Sequence, residues 1–237
     1  MIQALRFSLL LASGTILLGQ SYTISTLAGG APIATPVAAT NASMGPPQRV
    51  ALDGGGNLYF SSANSVFKVD GSGSLTVVAG NSRAGYSGDG DAATQAQLNQ
   101  PQGIAVAKDG TLYIADTGNH VVRVVTPDGN INTFAGNGSA GYTGDAGLAI
   151  YAQLDRPVGV AVDSSGNVYV ADSGSFVVRK VTTDGNIATV AGNGLPGFAG
   201  DGGAFLGAGG PSDCETSSMS KMRSALAGMT GGRPASP

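Results

Sequence analysis

The chain has 237 residues, of which 39 are glycine, 42% are hydrophobic and only 11% are charged. Its formal net charge of −3 and the lack of a basic stripe argue against nucleic-acid binding. A single cysteine, Cys214, excludes an internal disulfide framework.

The first residues have the pattern of an export signal. Arg6 lies in a short leading segment, residues 7–18 form an apolar run too short to span a membrane, and small residues precede a cleavage position after Ser21. We therefore predict a signal peptide over residues 1–21. The protein is then exported, periplasmic or extracellular, and its mature chain has no membrane span. A buried N-terminal helix is the alternative.

A repeat of about 56 residues organises the chain that follows. The phrases GYSGDG, GYTGDA and GFAGDG begin at Gly85, Gly141 and Gly197, inside three longer copies of one pattern. Each copy contains four short strand patterns, which are separated by turns rich in Gly, Asn and Asp. Because one such sheet is not stable alone, the repeat predicts sheets packed around an axis as the blades of a β-propeller.

Recurrent residues predict how each blade is oriented. The first strand of each copy is built from small and β-branched residues, as a crowded hub requires. A tyrosine recurs in the second strand, where we expect it to pack between blades: Tyr59, Tyr113 and Tyr169. A basic residue recurs in the third strand, where we expect a solvated outer face: Lys68, Arg123 and Arg179.

Residues 103–125 and 159–181 resemble NHL repeats, and the long links resemble those of secreted bacterial NHL proteins and of the teneurin propeller. The resemblance covers roughly residues 22–204 and implies an all-β propeller with blades at about 47–80, 101–136 and 157–192. Propellers of this family commonly close with six blades. Residues 22–30 match a fourth strand without its first three, so the chain carries a partial arc of three full blades plus one orphan strand.

The repeat pattern stops after residue 204. The composition of residues 205–237 predicts a disordered or atypical tail. Two explanations of the partial arc stay open: a shortened coding sequence, and a half-ring that self-associates with a second copy to complete six blades. An open arc exposes an apolar blade face, so it must find a partner or aggregate.

The long links and the turns between second and third strands emerge on one face, which is the candidate binding face. Its candidate residues are aromatic or acidic: Tyr86, Asp89, Asp116, Tyr142, Asp145, Asp172, Phe198 and Asp201. We expect the aspartates of the GD phrases to fix their own turns and the aromatic residues to anchor the links. Calcium binding by these loops is the alternative. The links themselves are either binding loops or a packing cap.

We expect no catalytic residue, cofactor or bound transition metal. His120 is the sole histidine and has no counterpart in the other copies, so a nucleophile lacks its base and a metal lacks its ligands. The expected function is a non-enzymatic binding scaffold for a protein, peptide or glycan. The alternative is a fragment of an exported propeller enzyme, a lyase or lactone hydrolase, with its metal ligands largely in missing blades.

Overall fold

A computed structural model of the protein describes residues 36–197. Fourteen strands in this range form three antiparallel sheets. Between residues 36 and 197, no helix has the length and apolar character needed to cross a membrane. The predicted signal peptide, the orphan strand at 22–30 and the tail at 205–237 lie outside the described residues.

Each sheet is one blade whose four main strands follow one another as a meander. A short edge strand, β1 (Val37–Ala38), precedes blade 1, which contains β2 (Val50–Leu52), β3 (Leu58–Ser62), β4 (Ser65–Val69) and β5 (Ser74–Ala79). Blade 2 contains β6 (Pro101–Val106), β7 (Leu112–Asp116), β8 (Val121–Val125) and β9 (Ile131–Ala135). A second edge strand, β10 (Gly147–Leu148), precedes blade 3, which contains β11 (Pro157–Val162), β12 (Val168–Asp172), β13 (Val177–Val181) and β14 (Asn186–Ala191). Five single-turn 3-10 helices lie at Ala39–Asn41, Ala93–Gln95, Thr117–Asn119, Ala149–Tyr151 and Ser173–Ser175.

The first strands of neighbouring blades come very close together. A Cβ atom added to Gly103 would lie 2.5 Å from the Cα atom of Gly159 and 2.8 Å from the carbonyl oxygen of Val158. Only a glycine fits such an approach. The prediction of small residues at the hub is therefore confirmed for blades 2 and 3.

Two hydrophobic clusters join the blades. The first includes Tyr59 and Val66 of blade 1 with Ile104 and Ile114 of blade 2. The second includes Val122 of blade 2 with Val168 and Val170 of blade 3, and Tyr113 packs against it. The inter-blade role predicted for the tyrosines is confirmed for Tyr59 and Tyr113.

The links between blades lie against the blade that follows. Link 1 (residues 80–100) and link 2 (residues 136–156) each contain one 3-10 turn. The N–H group of Ala93 donates to the carbonyl oxygen of Gly129 at 2.8 Å, and that of Ala149 donates to the carbonyl oxygen of Gly185 at 2.8 Å. Both links therefore act as packing caps on the outer strand of the next blade.

The prediction of a solvated outer face is wrong for Arg123 and Arg179, which are both fully buried. Strand pairing places Arg123 opposite Ile114 and Arg179 opposite Val170. In blade 1 the same pairing joins Phe60 to Phe67, so Phe67, and not Lys68, is the counterpart of the two arginines. A slip of one residue along a strand moves a side chain to the other face of the sheet.

Candidate interaction surface

The aspartate of each described GD phrase binds the blade that follows its link. Asp89 of link 1 accepts hydrogen bonds from Thr133 of blade 2, from the backbone N–H at 3.1 Å and from Oγ1 at 2.7 Å. It also forms an ion pair with Nη2 of Arg123. Asp145 of link 2 repeats this ion pair with Nη2 of Arg179 at 2.6 Å. The aspartates fix their links, as predicted, but to the next blade and not to their own turns.

The tyrosine of each phrase covers the same arginine. The ring of Tyr86 lies 5.1 Å from the Arg123 guanidinium carbon, and its hydroxyl lies 2.7 Å from Oγ1 of Thr133. Tyr142 lies in the same way 5.3 Å from Arg179 and 2.9 Å from Thr189. Both distances fit a cation–π contact, which is stronger for a desolvated cation. The aromatic residues therefore anchor the links.

A second carboxylate approaches each arginine from inside the blade. Asp116 is fully buried and its Oδ2 atom lies 3.6 Å from Nη1 of Arg123. Its oxygens accept hydrogen bonds from the Asn99 backbone N–H at 2.7 Å and from Nδ2 of Asn119 at 2.7 Å. Burial raises the pKa of Asp116 to about 6, although these hydrogen bonds and the Arg123 charge act against that rise.

Asp172 occupies the same position in blade 3. It is fully buried, and its Oδ1 atom accepts a hydrogen bond from the Asp155 backbone N–H at 2.7 Å. Burial raises the pKa of Asp172 as well. We call each arginine with its tyrosine and two aspartates a latch: Tyr86, Asp89, Asp116 and Arg123 form the first latch, and Tyr142, Asp145, Asp172 and Arg179 form the second.

Blade 1 has no latch. Phe67 takes the place of the arginine and stacks on Phe60 with ring centroids 5.3 Å apart, while Ser62 takes the place of the buried aspartate. In the sequence, Thr35 stands where the links carry Asp89 and Asp145. All three charged positions therefore change together between copies, and this covariation within one chain is the signal that could have predicted an ion pair.

His120 has a structural counterpart in Asn64. Both residues have a left-handed backbone, with φ of 57° and 58°. Nδ1 of His120 accepts the backbone N–H of Arg156 at 3.1 Å, as Oδ1 of Asn64 accepts that of Gln100 at 2.9 Å. The sequence comparison missed this pair because the turn in blade 1 is two residues shorter. His120 thus joins blades 2 and 3.

The predicted site residues do not form one site. Tyr86, Asp89, Tyr142 and Asp145 are partly exposed on the links, Asp116 and Asp172 are buried, and Phe198 and Asp201 lie outside the described residues. The two latches contain different residues and belong to different inter-blade junctions. Within residues 36–197, no three histidine, cysteine, aspartate or glutamate side chains form a group that could hold a metal ion.

A cleft of about 260 Å³ with both apolar and polar lining opens between blades 1 and 2. Its polar side chains are amides, contributed by Gln48, Asn64, Gln100 and Gln102. Amides donate and accept hydrogen bonds but do not titrate. The cleft is suited to hydrogen bonding with a ligand.

Link 2 carries an apolar surface that link 1 and the described segment before blade 1 lack. Leu148, Ile150 and Tyr151 are exposed, with Tyr151 at 73%. The corresponding residues of link 1 are smaller or polar: Ala92, Thr94 and Gln95. Before blade 1 they are Ala38, Thr40 and Asn41. We call Leu148, Ile150 and Tyr151 the link 2 patch; the sequence analysis did not identify it, although comparison of the copies shows the difference.

The fold does not require the link 2 patch. The buried positions of the two links are alike, since Ala149 and Leu154 in link 2 correspond to Ala93 and Leu98 in link 1, and all four are buried. Link 1 forms the same turn with polar residues at the exposed positions. The patch is thus extra apolar surface on a shared backbone.

Comparison with known proteins identifies the repeat. The family model for the teneurin NHL domain matches residues 82–143 and 138–195. Teneurin-m of Drosophila melanogaster is 30% identical over 168 residues, which are 65% of this chain and 6% of that protein. NHL repeat-containing protein 2 of Bos taurus is 35% identical over 94 residues, which are 39% of this chain and 12% of that protein.

One solved structure is similar to this chain over a large part of its length. A protein of unknown function from Bacteroides thetaiotaomicron superposes with a TM-score of 0.50 and 28% identity, over 63% of this chain and 36% of that chain. The chain spans only a small part of the curated relatives it matches. With its repeated four-stranded blades and its match to the teneurin domain, the chain belongs to the NHL-repeat family.

Proposed function

We propose that the protein is an exported, non-enzymatic binding scaffold that recognises a protein or peptide through the link 2 patch. Export rests on the signal pattern in residues 1–21. The blades serve to hold the links in place, and the links supply the contact surface.

The exposure of Leu148, Ile150 and Tyr151 is the observation that carries this proposal. Exposed apolar side chains lower solubility, and link 1 shows that the fold does not need them at these positions. Tyrosine and large aliphatic residues that lie together are typical of the central part of protein interfaces.

The charged groups of the links support the same assignment. Asp89 and Asp145 already bind the arginines of the next blade, so their oxygens serve the assembly of blades. The remaining distinctive surface of link 2 is apolar, which favours contact with an apolar peptide side chain over an ionic ligand.

A link exchange tests the proposal. Peptides are selected from a displayed library on the full chain, and the affinity of a selected peptide is measured by fluorescence polarisation. The variant Leu148→Ala, Ile150→Thr, Tyr151→Gln gives link 2 the residues of link 1. We expect it to bind the peptide at least about tenfold more weakly, as for removal of an interface hot spot.

The exchange leaves the buried residues of link 2 in place, so the melting temperature should not fall. Leu195→Ser is the matched control, because Leu195 is exposed but lies outside the patch; it should bind the peptide as the unchanged chain does. Failure to select any peptide, or full binding by the exchanged variant, would refute the proposal.

A further inference from the structure

Blade 3 presents to solvent the face with which the other blades bind their successors. We call the side of a blade that faces the next blade its trailing face, and the opposite side its leading face. Val122 and Ala135 on the trailing face of blade 2 are fully buried against blade 3. Their counterparts in blade 3, Val178 and Ala191, are only half-buried and line a shallow apolar depression with Phe176.

The leading face of blade 1 is open in a matching way. Val50 and Leu52 on its first strand are 68% and 67% exposed. Ile104, the counterpart of Val50 in blade 2, is only 6% exposed because blade 1 covers it. The two open faces are therefore the two halves of the interface that the structure contains between blades 1 and 2 and again between blades 2 and 3.

One polar contact of the existing junctions has no equivalent between these open faces. At both existing junctions, a residue with a left-handed backbone accepts the N–H of the residue that leads into the next blade: Asn64 from Gln100, and His120 from Arg156. The acceptor position in blade 3 is Phe176, which has no acceptor atom in its side chain. The donor position before blade 1 is Pro46, which has no backbone N–H. The acceptor and the donor are lost together, and an aromatic ring and a proline can pack instead.

Phe176 has the left-handed backbone that this turn has in every blade, with φ of 56° against 57° for His120 and 58° for Asn64. A bulky residue is unusual in this region, and Phe176 is 50% exposed. An asparagine at this position would fit the backbone better, as Asn64 does.

We propose that a second copy of this chain docks on the arc, with blade 1 of each copy packed on blade 3 of the other. The contact repeats the apolar packing of the existing inter-blade interface, and two such contacts related by a two-fold axis close an assembly of six blades. The occupant of the blade 3 trailing face is thus the leading face formed by Pro46, Val50 and Leu52 of the second copy.

The mass of the full chain in solution, measured by sedimentation equilibrium over a range of concentrations, tests this proposal. We expect the mass of a dimer. Val50→Asp should give the mass of a monomer with an unchanged melting transition for the arc, because Val50 is exposed within one copy. Ile150→Asp, at an exposed apolar residue of link 2, is the matched control and should remain a dimer.

A pair of substitutions tests the junction itself. Phe176→Asn alone should raise the dimer dissociation constant at least about tenfold, as loss of an interface aromatic does. The same change should leave the stability of the single arc equal or higher, since asparagine accepts a left-handed backbone. Adding Pro46→Gln supplies the missing N–H and should recover most of the affinity, because the pair then repeats Asn64 and Gln100.

A monomeric mass at all concentrations would overturn the proposal. Protection of blade 3 amides from hydrogen exchange in such a monomer would assign the trailing face to residues 198–237 instead. A dimer that tolerates both Val50→Asp and Phe176→Asn would also overturn it. The outcome is separate from the peptide-binding test, which depends on the link 2 patch.

Discussion

Arg123 and Arg179 join each described link to the blade that follows it. A buried guanidinium must be paired and hydrogen-bonded, since desolvation of an isolated charge costs several kcal/mol. Each latch pairs the guanidinium with one carboxylate from the preceding link and one from within the blade, while the buried Nε atom of each arginine has no hydrogen-bond partner. Blade 1 has no charged group at the corresponding position, where Phe67 stacks on Phe60 instead.

The chain itself therefore supplies a substitution that separates the cost of breaking a latch from the cost of replacing it. Arg123→Phe should lower the free energy of unfolding by about 3–5 kcal/mol, because Asp116 is left buried without its cation. Adding Asp116→Ser, which copies Ser62 of blade 1, should recover about half of this loss. Urea denaturation measures both variants.

Asp89→Asn is the control for this latch. The carboxylate of Asp89 is partly exposed, so its loss should cost only about 1 kcal/mol. A double variant no more stable than Arg123→Phe alone would contradict the role given to Asp116.

The raised pKa of Asp116 predicts a pH dependence of stability. In the unfolded chain its pKa is near the ordinary value of 3.8, whereas in the folded protein it is about 6. The folded state therefore holds the proton more tightly, and the stability from this group is present below pH 3.8 and is lost as pH rises through about 6. Between pH 4 and pH 7, the free energy of unfolding of the wild-type chain should fall by on the order of 2 to 3 kcal/mol relative to that of the Asp116→Asn variant.

The comparison with Asp116→Asn removes the effect of other groups. Hydrogen bonds lower the pKa of half-buried turn aspartates such as Asp53 and Asp163, which favours the folded protein above their ordinary pKa. That opposite trend is common to both proteins and cancels in the difference. A constant difference between the two proteins over this pH range would show that Asp116 does not titrate as stated.

At the scale of elements, local chemistry made the blades predictable. Turn residues and alternating strands indicate four strands in every copy, and the structure has four in every blade. Each described link also contains one helical turn, at Ala93–Gln95 and at Ala149–Tyr151. These features depend on neighbouring residues, which a sequence displays directly.

The latches were harder to predict because their partners are far apart in sequence. Asp89 lies in link 1 and binds Arg123 of blade 2, which is 34 residues later in the sequence. The shortened turn of blade 1 also obscured the register, since it places Lys68 beside the position that Arg123 and Arg179 share. Only the pleat of the paired strands shows that Phe67 is the equivalent residue.

The approach of β6 to β11 gives a prediction for the hub. Gly103→Ala should lower the free energy of unfolding by about 1–3 kcal/mol, because the new methyl group meets backbone atoms of Gly159 and Val158. Gly54→Ala is the matched control, since no heavy atom lies within 4 Å of its added Cβ. The melting temperatures of both variants test this prediction, and equal melting temperatures would contradict the close packing of β6 against β11.

In the whole molecule, the surface of the links has two parts. The described GY-x-GD phrases join their links to the next blade, and we propose that the link 2 patch binds a partner. From the sequence alone, the three similar acidic phrases could form either a ligand site or a structural joint. The ion pairs of Asp89 and Asp145 favour the structural joint. This division predicts that binding and stability respond to different residues.

The most direct measurement of this division is the affinity of one library-selected peptide for three proteins: the unchanged chain, the link 2 exchange and Asp89→Asn. We predict that the link 2 exchange weakens binding of the peptide at least about tenfold and leaves the stability of the chain unchanged. Asp89→Asn should keep the affinity within about twofold while the chain loses stability. Loss of binding in Asp89→Asn together with full binding by the exchange variant would contradict the account.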